Sequence, residues 1–155
     1  MVNKKKKHKM PIGLIVLNIF LIITIVAGLF GVILPKPTIY FGMIISSTAS
    51  MIISIISLIL LTFIVVGFFK AKLWSWYLFI YYSIYAVLVG FVNTLMFALN
   101  PNLGKEYLSK ILPIEVTNQL VYQFPVFLII TSIISLVIYE LVTFYVYKKK
   151  SYFTD

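Results

Sequence analysis

Gly67-Phe-Phe-Lys-Ala-Lys-Leu-Trp-Ser-Trp-Tyr77 has a long apolar run on either side. A turn carrying Lys70 and Lys72 cannot lie in hydrocarbon, whereas Trp74, Trp76 and Tyr77 suit the headgroup layer, where amphipathic rings keep one end apolar and the other wet. The stretch therefore reads as a hairpin at a membrane surface, with Lys70, Lys72, Trp74, Trp76 and Tyr77 as interface anchors. The rest of the chain can be placed by counting outward from it.

Composition points the same way. Hydrophobic residues make up 62% of the chain and charged residues 11%, with a mean hydropathy of +1.08, far outside the soluble range. At roughly 20 apolar residues per crossing, 155 residues leave room for four helices and no soluble domain. The expected spans are about 12–34, 40–69, 74–99 and 121–147, with a basic arm at 1–10 and an outer loop at 100–120. Pro11 suits the first turn of the first helix, where its missing N–H costs nothing. A cleavable signal peptide would start in the same way, but the run Ile12 to Leu34 exceeds the usual apolar region of about 7 to 15 residues.

The net charge of +9 would suggest nucleic acid in a soluble protein. Every basic residue other than His8 is a lysine at the end of an apolar run or in a loop, which is a pattern of membrane orientation. Lys4 to Lys7, Lys9, Lys70, Lys72 and Lys148 to Lys150 fall on one side, and Lys36, Lys105 and Lys110 on the other. The positive-inside rule puts both termini in the cytoplasm. The expected fold is all-α: an integral membrane four-helix bundle in up-down order, multi-pass in the cell membrane. The basic arm is expected to touch anionic lipid headgroups rather than nucleic acid, and Lys148, Lys149 and Lys150 to stop the last span at the interface.

Within the second run, Gly42, Ser46, Ser50, Ser54 and Ser57 recur at steps of three or four and share one helical face. They read as a helix-packing seam, with a polar solute path as the alternative. Ala27 and Gly31 form a shorter small-residue face on the first span, suited to pack against it. If the run from Ile39 to Phe69 were wholly helical it would be about 46 Å long, so it must tilt, bend or project. Tyr77, Tyr81 and Tyr85 form an aromatic stripe on the third span, which ends with Asn93, an amide expected to hydrogen-bond across helices. Leu103, Leu108, Ile111 and their neighbours suggest a short amphipathic helix in the outer loop.

Three sections of this sequence resemble a widespread group of small prokaryotic four-span membrane proteins. They are Lys9-Met10-Pro11-Ile12-Gly13, Gly67 to Trp76, and Tyr147-Lys148-Lys149-Lys150-Ser151-Tyr152-Phe153. In that group a Pro-x-Gly start, a Gly-x-x-Lys-Gly-Lys-x-Trp-Ala-Trp turn and a basic tail ending in Tyr-Phe recur in this order. Here Ala71 stands where the group has glycine, and the tail lacks the Arg-Pro often found there. The resemblance implies the same four-span fold and no particular chemistry.

The chain has four acidic residues, one histidine and no cysteine. No triad, metal set, phosphate loop or paired intramembrane carboxylates can be assembled from them. No catalytic site, metal or cofactor is expected, so the reading is a non-enzymatic accessory or scaffold subunit of a membrane complex. A small transporter or channel acting as an oligomer is the alternative. The expected partners are the bilayer and other membrane subunits or further copies of the chain. Glu140 is the one charged residue well inside a span, roughly 12 Å along the helix from Lys148. An acid at that depth is a functional candidate by default. Counting places Asn18 and Thr62 at similar depths, which would allow a shared polar layer.

Overall fold

The computed structural model describes residues 9–111 and 118–154. The basic arm as far as His8, loop residues 112–117 with Glu115, and Asp155 lie outside the described residues. The elements in order are α1 (Ile12–Ile33), a two-stranded hairpin of β1 (Thr38–Tyr40) and β2 (Met43–Ile45), α2 (Ser47–Phe69), α3 (Leu73–Leu99), α4 (Pro101–Ile111) and α5 (Asn118–Lys148). A single 3₁₀ turn, Lys150–Tyr152, follows. Four of the helices are long and apolar enough to cross a membrane: α1, α2, α3 and the Val126–Lys148 part of α5.

The second run does not stay helical. β-branched and aromatic residues at Thr38-Ile39-Tyr40 and Met43-Ile44-Ile45 favour extended chain, and the two strands pair antiparallel with Tyr40 opposite Met43. Phe41 and Gly42 both have positive φ, 49° and 73°, as a two-residue primed hairpin turn requires. Gly42 therefore belongs to the turn and not to a helical seam. Ser46 is also outside the helix: its Oγ accepts from the Ala49 N–H at 3.3 Å, making it the N-cap that starts α2. Folding eight residues into the hairpin shortens the helix to a length that suits a bilayer.

The α2–α3 turn closes α2 with a Schellman arrangement. The Lys72 N–H donates to Gly67 O at 2.9 Å and the Ala71 N–H to Phe68 O at 3.1 Å, while Ala71 takes the left-handed φ of 50° that such caps demand. Gly67 is required for a different reason. A methyl group there would collide with Ser75 and Trp74 at the close approach of α2 to α3.

The start of α1, the end of α2, the start of α3 and the end of α5 converge on one apolar core. Leu14, Ile64, Phe68, Trp76, Phe79 and Val146 are its main buried members. The tail completes it by folding back. Thr154 donates its N–H to Ala71 O at 2.7 Å and accepts from the Leu73 N–H at 2.9 Å, so Lys72 and Thr154 form a parallel bridge. This places Phe153 against Phe68, with ring centroids 5.0 Å apart. Away from this end the helices pack in a row, α1 on α2, α2 on α3 and α3 on α5, and α4 packs against α3 and α5. Leu103 and Leu108 form the buried face of α4, while Lys105, Glu106 and Lys110 face outward.

Candidate functional site

The candidate site is the groove between α3 and α5. On α3, Ile80, Ser83, Ile84 and Val87 recur at helical spacing; on α5, Glu140, Thr143, Phe144 and Tyr147 do the same. These facing stripes, with Leu88, line an open groove of about 480 Å³. The lining is almost wholly apolar, so its few polar groups decide its chemistry. The Thr143 hydroxyl donates to Tyr139 O at 2.7 Å and is thereby occupied. Ser83 is 1% exposed, and its Oγ has no hydrogen-bond partner among the described residues. Glu140 is exposed at the groove edge. The one ion pair among the described residues joins Lys110 to Glu106, so no lysine meets Glu140.

The other intramembrane polar residues do not join it. Asn18 is buried on α1, 1% exposed, and neither its amide nitrogen nor its oxygen finds a partner among the described residues. Thr62 donates to Leu58 O on its own helix at 2.8 Å and lines a separate shallow groove with Ile25, Leu29 and Phe63. Asn18, Thr62 and Glu140 are thus dispersed over three faces rather than forming one polar layer. Asn93 does bond across elements, but to the hairpin. Its Oδ1 accepts from the Gly42 N–H at 2.8 Å and its Nδ2 donates to Ile39 O at 3.2 Å, pinning the turn to α3.

The small-residue faces are likewise divided. Ser50, Ser54 and Ser57 are half-buried on α2, and Ser57 lies beside Tyr82 of α3. Ala27 and Gly31 are exposed, and a methyl group added at Gly31 would meet no atom within 4 Å. The α1–α2 approach runs instead through Gly28, where an added methyl would come within 2.6 Å of Leu58 Cδ2. Because Leu58 follows Ser57, it points about 100° further round the helix. The serines therefore do not pack on Ala27 and Gly31.

Among the interface anchors, Trp74 and Tyr77 are exposed, whereas Trp76 is 4% exposed. Trp76 is a core residue: its Nε1 donates to Val146 O at 2.9 Å, and its ring lies 5.8 Å from that of Tyr147. The tail lysines sit on aromatic faces. Lys148 Nζ lies 4.3 Å from the centre of the Phe144 ring and Lys149 Nζ 5.6 Å from that of Tyr145. Lys150 Nζ is 4.9 Å from the centre of Trp76 and donates to the Tyr77 hydroxyl at 3.3 Å. Lys70 is exposed and Lys72 half-buried under the tail bridge.

Sequence reasoning singled out Glu140 but missed Ser83 as its neighbour across the groove. The signal was present in the shared i, i+3, i+4, i+7 spacing of the two stripes, but which helices pair is not a local property. The chain matches no family model, no curated protein and no solved structure.

Proposed function

We propose that this chain is a non-enzymatic four-span membrane protein that serves as an accessory or scaffold subunit of a membrane complex. In this reading both termini are cytoplasmic, the spans alternate up and down in the cell membrane, and the basic arm rests on anionic headgroups. The observation that carries it is the outer face of α5. Its most apolar 18-residue window contains no buried residue, and Ile130, Ile134, Val137, Ile138 and Leu141 are all exposed along one side. That apolar face is bounded by exposed Ser135 and Glu140. Polar groups turned outward at depth are costly against lipid and are commonly satisfied by a neighbouring helix. The left-handed φ of Ala71 also falls at the position where the group that the sequence resembles carries glycine.

A photoreactive residue at Val137 should give one discrete protein adduct in native membranes, while the same residue at Ile22, exposed on α1, should label lipid alone. Lipid adducts at both positions would contradict the reading. The α3–α5 groove favours a second reading, a small transporter acting as an oligomer, because an unpaired carboxylate in an apolar groove is suited to hold a solute.

A further inference from the structure

The α3–α5 groove has the size of a ligand site: about 480 Å³, inside the range of roughly 300–1,000 Å³ common for small molecules. Apart from the exposed Tyr147 phenol at one end, its free polar groups are the Glu140 carboxylate at the edge and the Ser83 hydroxyl, 1% exposed and without a partner among the described residues. Such a set selects by charge. An anion would be repelled by Glu140, and a neutral hydrocarbon would leave both polar groups unmatched. A cation with N–H donors on an apolar stem satisfies both, since a carboxylate and a hydroxyl oxygen each accept from an ammonium.

We infer that the groove binds a hydrophobic primary amine. The ammonium sits between Glu140 and Ser83, and the hydrocarbon body lies along Ile80, Ile84, Val87 and Phe144. This goes beyond subunit docking and requires that a partner on the neighbouring face of α5 leave the Glu140 carboxyl open to the groove. Lys148, whose ammonium lies 4.3 Å from the centre of the Phe144 ring, opposes a cation arriving past that end of the groove. The ligand therefore enters sideways, after partitioning into the bilayer. An aminolipid headgroup carries the same ammonium, but it is anchored at the surface. Glu140 lies roughly 12 Å along the helix from Lys148, which favours a free amine over a headgroup.

Trp76 supplies a reporter, because its ring is 5.8 Å from that of Tyr147, a lining residue. With Trp74→Phe removing the only other tryptophan, the protein is placed in phosphatidylcholine nanodiscs and titrated with bromododecylamine. Saturable quenching is expected, whereas bromododecanol should quench only in proportion to its partitioning. Glu140→Gln should weaken the saturable phase roughly tenfold or more, the scale of losing a hydrogen bond to a charged group, and Glu140→Asp should retain most of it. Equal quenching by amine and alcohol, or an unchanged affinity in Glu140→Gln, would overturn the proposal. If Glu140→Gln does not fold, Ser83→Ala, which removes the buried hydroxyl without adding bulk and leaves the acid in place, must weaken the saturable phase; an unchanged affinity would also overturn the proposal. Saturable quenching by phosphatidylethanolamine brominated on its acyl chains, and not by the free amine, would assign the site to a headgroup and refute the free-amine reading.

Discussion

Replacing Phe153 with alanine should release the tail without unfolding the helices. Phe153 is 5% exposed and Tyr152 9%, so burying the two rings contributes about 5 kcal/mol together. The two backbone hydrogen bonds of Thr154 add about 2 kcal/mol. Ordering Ser151 to Thr154 costs about 6 kcal/mol at the usual backbone entropy per residue. The clasp is then favourable by about 1 kcal/mol, and losing about 3 kcal/mol of ring burial with Phe153→Ala reverses it. Hydrogen exchange reads this directly. The Leu73 N–H opens α3 and has Thr154 O as its acceptor, so its exchange should rise roughly fivefold, the change in open population that these energies imply, together with that of Thr154. Amides in the middle of α3 should not change. If Leu73 and Thr154 keep their protection in the variant, the tail is not held by Phe153 and these energies are misassigned.

Buried Asn18 and half-buried Asn93 should respond in opposite directions in detergent melts. Asn93→Leu strands the Gly42 N–H and Ile39 O and should cost about 1–3 kcal/mol. Asn18→Leu replaces an amide with no partner among the described residues by a side chain of similar size, and should stabilise by a comparable amount; a large loss would show that Asn18 holds a partner. Burial pushes the Tyr152 hydroxyl above its ordinary range. Its neutral form therefore supports the clasp fully below the unfolded value of about 10, and that support is lost as pH rises through the folded value. Trp76 emission should shift as the clasp loosens at high pH, and Tyr152→Phe should remove that shift; an identical alkaline transition in both proteins would refute the link.

Much of the architecture was legible because bilayer crossing imposes length and polarity on each helix. The runs around α1, α3 and α5 leave little choice, and the Lys70–Lys72 turn announces itself by charge. The hairpin was not legible. Ile39 to Ile45 is an apolar, β-branched run that suits helix or strand equally, and the choice is made by Asn93, far along the chain, which binds the Phe41-Gly42 turn. Trp76 misled for a related reason: beside Trp74 and Tyr77 it looks like an interface ring, yet Val146 and the returning tail bury it. At the groove, Glu140 stands out as a lone acid in an apolar helix, while Ser83 gains meaning only from the pairing of α3 with α5.

The proposed orientation of the four crossings would put the clasp in the cytoplasm, and it can be measured directly. The chain has no cysteine, so single cysteines at Lys36, Ser109 and Ser151 can be probed in intact cells with an impermeant thiol reagent. Labelling from outside is expected at Lys36 and Ser109, and at Ser151 only after permeabilisation. Labelling of Ser151 in intact cells, with Lys36 and Ser109 protected, would contradict this orientation.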